Sequence, residues 1–202
     1  ATPLASNKEK HLGNYYETIV EGKSIEWMIN NKYLAMPFYG QKKIADLSKV
    51  RKRGNKFNES DIEKAFTETK VFEGLEESKK RDWGNRKTAI FCPNIKTSRE
   101  VSERLNCLHI DSTMSEREKS QVMHEFDNNE SAIISNVDLL TFGWDAPELS
   151  NIVIYRDILS LTLYLQICGR GGRITDNKRT FNIYDFGRNI ERFGFWHADR
   201  TW

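Results

Sequence analysis

The stretch "TAIFCPNIKTSREVSERLNCLHID", residues 88–111, holds a strand, a helix and a second strand in immediate succession. Residues 88–93 are a short apolar run stopped by Pro93, as a buried strand is. "KTSREVSERLN" then takes up helical periodicity, with Thr97 and Glu100 at the spacing of a capping box. "CLHID" (107–111) returns to a short apolar run. Two strands joined through a helix pair in parallel, because an antiparallel neighbour needs only a tight turn. The crossover is expected to be right-handed.

The same rhythm continues toward the C-terminus. "SEREKSQVMHEFDNN" reads as a second helix, with a capping box in Ser115 and Glu118 and an apolar stripe of Val122, Met123 and Phe126. "SAIIS" (131–135) is a third strand, followed by a helical turn at Leu139 and Leu140. "NIVIYR" (151–156) is a fourth strand, "SLTLYLQICGR" a fourth helix and "TFNIYDF" (180–186) a closing strand. The fold class is therefore α/β, a mostly parallel sheet flanked by helices. Ligands gather at the carboxyl ends of such strands, which directs attention to the loops after Ile134, Arg156 and Phe186.

Residues 1–86 lack this rhythm and are expected to form a smaller N-terminal α/β or helical appendage to a domain spanning 87–202. "YYETIV" and "MPFYGQKKIADL" read as strands around a helical "SIEWMINNKYL", and "DIEKAFTETKVFEGLEESKKR" as one or two amphipathic helices. Residues 42–56 carry seven basic residues, Lys52 and Arg53 among them, against the single acid Asp46. That run serves either as a solvated loop or as a contact to a phosphate backbone.

Composition narrows the classes. In 202 residues, 38% are hydrophobic and 30% charged, the balance of a soluble globular chain. The net charge of +2 neither implies nor excludes a nucleic-acid partner. No apolar run approaches the roughly 20 residues that span a bilayer, so no membrane partner is expected. Cys92, Cys107 and Cys168 are odd in number and lack C-x-x-C spacing, which points to reduced thiols in the cytoplasm and no zinc site. The four histidines show no ligand spacing, so no metal is expected to bind here. Because the first residue is Ala, the chain is read as cut or processed from a longer one.

Three segments concentrate candidate chemistry. Gln166, Arg170 and Arg173 fall at i, i+4 and i+7 and share a face if helical geometry persists. Guanidinium groups fork two donors onto phosphate oxygens, and Gly169 and Gly171 would keep the surface low enough for a phosphate chain to approach. "SNVDLLTFGWDAP" (135–147) follows the third strand, with Gly143 allowing a tight turn and Asp145 placing a carboxylate near the same sheet edge. "FCPN" (91–94) ends the first strand in a polar loop. "EGKS" (21–24) mimics the tail of a phosphate-binding P-loop, but the leading glycine is replaced by Glu17.

Residues 87–202 resemble the second RecA-like domain of a superfamily 2 helicase or translocase. "AIFCPNIKTSREVSERL" resembles motif IV, "AIISNVDLLTFGWDAPELSNIVIYRD" motif V with its G-x-D-x-P ending, and "LYLQICGRGGRI" motif VI, Q-x-x-G-R-x-x-R. "YDFGRNIERFG" is similar to a D-x-x-x-N-x-x-R-x-G stretch of the branch that includes phage and bacterial DEAD/DEAH-type helicases and restriction-enzyme translocating subunits. "ATPL" resembles the end of motif III, and "LGNYYETIVEGKSIEWMINNKYL" the connecting segment after it.

The resemblance implies that Arg173, and with it Arg170, are arginine fingers for the γ-phosphate of ATP, and that Gln166 orients them or contacts the interdomain face. It implies that Gly143 and Asp145, with Gly169 nearby, lie at the nucleotide. Ser135, Asn136, Pro93 and Asn94 would lie at a nucleic-acid phosphate, although the family more often carries Thr or Asp where Asn136 stands. No P-loop and no D-E-x-H/D box occurs in these residues, so ATP and Mg²⁺ are expected to be held mainly by a first RecA-like domain of the same parent chain. The expected partner is nucleic acid, DNA in preference to RNA. The alternative is a non-catalytic nucleic-acid-binding module of helicase-like fold. A nuclease is disfavoured by the lack of an acidic cluster suited to two metals.

Overall fold

The computed structural model describes residues 17–18, 20–41, 49–53, 56–58, 60–61, 64–65, 71–141 and 144–200. Six strands form one sheet: β1 (Met36–Gln41), β4 (Thr88–Phe91), β5 (Leu108–Ile110), β6 (Ile133–Asn136), β7 (Asn151–Ile154) and β8 (Thr180–Asp185). Their order is β1-β8-β7-β4-β6-β5 and every pairing is parallel. Ile90, at the centre of β4, is flanked by Val153 on one side and Ser135 on the other. Two-residue strands β2 (Lys52–Arg53) and β3 (Lys56–Phe57) form a separate antiparallel pair.

Helices cover both faces, as an all-parallel sheet requires. They are α1 (Ile25–Asn30), α2 (Val71–Arg81), α3 (Ile95–Leu105), α4 (Glu116–Asp127), α5 (Leu161–Gly169) and α6 (Asn189–Phe193). On one face Ala89, Phe91, Ile152, Ile154, Phe181 and Ile183 pack with Phe126 of α4 and Tyr164, Leu165 and Ile167 of α5. On the other, Ile90, Val153 and Phe186 pack with Phe72 and Leu75 of α2 and Val101 and Leu105 of α3. Two covered faces explain why the strands read as continuous apolar runs rather than alternating ones. This is the RecA-like α/β arrangement.

Three expectations need correction. The boundary at 86/87 does not divide the sheet, because β1, from the supposed appendage, is hydrogen-bonded along β8 from Met36↔Thr180 to Gln41↔Asp185. The strand at 180–185 is consequently internal, with β1 at the edge. Helix α3 starts a turn before the Thr97–Glu100 box: Asn94 is its N-cap, in extended conformation, and its side chain accepts from the Thr97 N–H at 2.8 Å. An Asn beside a strand-ending Pro satisfies the first-turn donors as well as Thr does, and it comes first along the chain. The Ser115–Glu118 box caps α4 as expected. Of the strand expected over residues 15–20, residues 17, 18 and 20 are described and lie in no strand, and the others lie outside the described residues.

Candidate functional site

Helix α5 starts at its N-cap Ser160, just beyond the carboxyl end of β7, and runs back toward the amino ends of the strands. Past Gly169 the chain tightens without unwinding. The N–H groups of Arg170, Gly171 and Gly172 reach the carbonyls three residues earlier, at 3.2, 3.2 and 3.1 Å. The helix itself ends at Gly169, and these single-turn bonds carry the chain on to Gly172, just ahead of Arg173. This turn sits at the amino edge of the sheet. Gly172 O accepts from Ala35 N at 2.8 Å, immediately before β1, and Gly171 packs on Phe181 near the start of β8.

Two of the predicted residues meet a third there. Arg170 Nη1 donates to the Trp144 carbonyl oxygen, and Arg173 Nε lies 3.0 Å from Asp145 Oδ1. The Arg173 and Asp145 side chains are 57% and 52% exposed, so this ion pair faces solvent and is screened. Burial, and then the Arg173 charge beside it, push the Arg170 guanidinium below its ordinary pKa. Gln166, half-buried, leaves its Oε1 without a hydrogen-bond partner. Gly143 lies outside the described residues.

The glycines serve packing, which corrects the expectation that they bare the backbone for a phosphate. A Cβ on Gly171 would stand 2.2 Å from a Phe181 ring carbon, and one on Gly172 would stand 2.7 Å from Trp196. Gly169 differs, because a Cβ there would stand in ordinary contact with Trp196 at 3.8 Å. A residue without a sequence signal completes the edge. Lys178, only 5% exposed, donates from Nζ to the carbonyls of Pro147, Leu149 and Gly171 at 2.7, 2.9 and 2.9 Å.

The carboxyl edge is a separate surface, and Asp145 does not belong to it. The segment after β6 begins at the carboxyl edge and ends at the amino edge, where β7 starts, carrying Asp145 across. Ser135 and Asn136 are fully buried in β6. The Ser135 hydroxyl donates to Ser98 O at 2.9 Å, and Asn136 Nδ2 donates to Ile90 O at 2.9 Å. Neither side chain reaches a surface phosphate as expected, because the strand's last residues are enclosed by α3 and β4. Pro93 and Asn94 do lie at this edge, half-buried, with Asn94 Oδ1 occupied by its capping bond. Lys52 and Arg53 form the short strand β2, paired with β3 outside the six-stranded sheet.

Two polar hubs lie on this edge, the first without a signal in the sequence. Asp111, fully buried, accepts from Thr113 N (2.7 Å), Thr113 Oγ1 (2.5 Å), Arg99 Nη2 (2.9 Å) and His109 Nε2 (2.8 Å). Burial alone would raise its carboxyl, but the bonds from Thr113, His109 and Arg99 hold it well below the usual carboxylate range. The second hub explains the D-x-x-x-N-x-x-R-x-G stretch. Asp185 accepts from Gly187 N, Ile190 N and Asn189 Nδ2, while Asn189 Oδ1 accepts from Ile158 N at 2.7 Å. Arg192 is paired with Asp157, and Gly194 O accepts from the Tyr164 hydroxyl at 2.9 Å. Those residues tie the loops after β7 and β8 to α6.

Comparison with known proteins gives a consistent set of likenesses. The model of the helicase conserved C-terminal domain matches residues 70–175. A 51.5 kDa protein of a Lactococcus phage (isolate 7-9) is 28% identical over 188 residues, covering 91% of this chain and 40% of that protein. A Saccharomyces cerevisiae protein provisionally named ATP-dependent helicase IRC3 is 24% identical over 187 residues, covering 88% of this chain and 27% of its own length. A solved fragment from Vibrio vulnificus YJ016, provisionally assigned as an HsdR subunit of a type I restriction enzyme, superposes with a TM-score of 0.75 at 23% identity. It covers 96% of this chain and 40% of the other. The chain thus spans less than half of each of these proteins.

Proposed function

Because this chain belongs to the helicase conserved C-terminal domain family, we propose that it is the second motor domain of an ATP-dependent nucleic-acid helicase or translocase. Its partner is a first RecA-like domain of the same parent protein. One observation carries the reading: Arg170 and Arg173 are held together against the Trp144–Asp145 segment at an open edge of the sheet. Two guanidinium groups against the Asp145 carboxylate leave surplus positive charge, the fit for the terminal phosphates of ATP.

In this reading Arg173 and Arg170 neutralise charge on the γ-phosphate in transfer, Gln166 orients them, and Gly143 and Asp145 lie toward the ribose. Mg²⁺ and the triphosphate are held by the first domain, where the metal supplies further charge neutralisation. Gly169 lies near Gly143 and Asp145, at the end of α5. The nucleic-acid track follows the carboxyl edge around Pro93 and Asn94, with Lys52 and Arg53 as phosphate contacts. Ser135 and Asn136 support that edge from the core. DNA is the preferred track, after the similarity of residues 184–194 to the branch that includes restriction-enzyme translocating subunits. The place of action is the cytoplasm, where the free Cys92, Cys107 and Cys168 remain reduced. No described helix is long and apolar enough to cross a membrane.

The test is nucleic-acid-stimulated ATPase of the full-length parent protein. Arg173→Ala and Arg170→Ala each lower the stimulated rate by about 10³-fold or more with folding intact. Wild-type hydrolysis in both variants overturns the arginine-finger reading. Stimulation by RNA and not DNA reassigns the track. Nucleic-acid binding with no ATPase in the parent protein leaves the non-catalytic module as the reading.

A further inference from the structure

Lys178 is a buried cation at the amino edge, and its three hydrogen bonds join two segments that are distant in sequence. Pro147 and Leu149 follow directly on Asp145, while Gly171 lies between Arg170 and Arg173. An ammonium has three N–H donors, and these three carbonyl oxygens use all of them. Lys178 itself is fixed in a tight turn by reciprocal main-chain bonds with Thr175, at 3.1 and 3.3 Å.

Burying a charge costs several kcal/mol unless it is fully hydrogen-bonded, and an apolar residue fills such a space at lower cost. Burial pushes the Lys178 pKa down to about 8, with Glu148 opposing and Arg173 adding to the shift. What the ammonium provides is convergence. It draws the carboxylate-bearing segment and the arginine-bearing turn onto one point, within reach of the Arg173–Asp145 pair at 3.0 Å.

We propose that Lys178 is a positioning residue for the nucleotide-facing arginines: it sets Arg170 and Arg173 against Asp145 so that they meet a phosphate held by the partner domain. This rests on the motor-domain reading above. Lys178 touches neither nucleotide nor reacting atoms. Its effect passes through Gly171 and the 147–149 segment.

The experiment is ATP titration of the nucleic-acid-stimulated ATPase in the full-length parent, for wild type, Lys178→Met, Arg173→Lys and the double variant. Lys178→Met is expected to lower kcat on the order of 10–100-fold, the effect of displacing catalytic groups by about an ångström, with KM for ATP unmoved. Because Lys178 acts through the arginines, Lys178→Met costs little further activity when added to Arg173→Lys. A wild-type kcat in Lys178→Met, or losses that multiply in the double variant, overturns the proposal. If Lys178→Met does not fold, Lys178→Arg is read in the same assay. Its planar guanidinium cannot place three donors at one point, so kcat falls with KM unmoved, whereas wild-type kcat overturns the proposal. Should Arg173→Ala and Arg170→Ala keep normal ATPase, the arginine-finger reading on which this inference rests has failed. Should they lose activity while Lys178→Met keeps it, only the positioning inference has failed.

Discussion

Gly171→Ala separates two reasons for a glycine between the two arginines. If the glycine is there for close approach of a ligand, adding a methyl group harms activity and leaves stability alone. The packing argues otherwise. Gly171 is not among the glycines with positive φ, so its backbone accepts alanine, and the less flexible unfolded chain alone would favour the variant by about 0.4–1 kcal/mol. Against this, the new Cβ stands 2.2, 2.7 and 2.9 Å from three carbons of the Phe181 ring. That ring cannot swing aside freely: Phe181 is fully buried and meets Trp196 edge-on with centroids 5.6 Å apart. Overpacking of this kind costs about 1–3 kcal/mol. The net loss is about 1–2 kcal/mol, a fall in Tm of roughly 2–8 °C for a domain of this size. Thermal unfolding followed by far-UV circular dichroism measures it. Phe181→Leu supplies the control, since a smaller side chain makes room and the double variant then loses less than the sum of the two. A Tm at or above wild type in Gly171→Ala refutes the packing argument. Loss of ATPase in the parent protein at unchanged Tm would return the glycine to the ligand.

Two further predictions probe the carboxyl edge. Asn94→Ala removes the α3 cap and costs about 1 kcal/mol in urea unfolding, whereas Thr97→Ala leaves the midpoint within error; the reverse order would restore the capping box that the spacing suggested. Asp111→Asn breaks the charged hub and costs about 1–3 kcal/mol at pH 7. The Asp111 carboxyl titrates lower in the folded protein than in the unfolded chain, so its contribution is present above the ordinary carboxylate range and is lost as pH falls through the folded value. The gap between wild type and Asp111→Asn therefore narrows below about pH 4, and a gap that widens there contradicts the assignment.

Elements of the sheet that alternate with helices were legible because each strand is covered on both faces. Apolar runs such as 88–91 and 151–154 leave no polar alternation to mislead, and the first is followed closely by Pro93. Strand β1 was legible as a strand but not as part of this sheet. Its partner β8 lies far along the chain, and nothing in Met36–Gln41 encodes that pairing. Arg170, Arg173 and Asp145 were found because guanidinium and carboxylate groups clustered by glycine are rare enough to stand out. Lys178 was not, since one Lys in "TDNKRT" looks like any solvated turn residue. Its burial depends on three carbonyls from two other segments, which no local pattern reports. Ser135 and Asn136 failed in the opposite sense. The resemblance to motif V put them at a phosphate, yet the neighbouring strands and α3 enclose them, and the hydrogen bonds of Ser135 and of Asn136 Nδ2 are made inside the core.

The position of the arginines follows from topology rather than from motif spacing. A helix that leaves the carboxyl end of a strand must return antiparallel to it, so whatever the last turn of α5 carries is delivered to the amino edge. The rule that parallel sheets collect ligands at their carboxyl ends describes ligands held by a chain's own strand–helix loops. Residues at the opposite edge are turned away from those loops. On the proposed reading that separation is what allows both tasks at once. The carboxyl-edge loops stay free for a nucleic-acid strand, while Arg170 and Arg173 face outward toward a nucleotide on another domain. The segment from Val137 to Ser150 is then the covalent route between the two surfaces, with Asp138 bonded to Arg156 at 2.5 Å at one end and Asp145 to Arg173 at 3.0 Å at the other. Lys178 grips that segment at Pro147 and Leu149, on the side of the arginines. A substitution there should disturb hydrolysis before it disturbs binding of the strand.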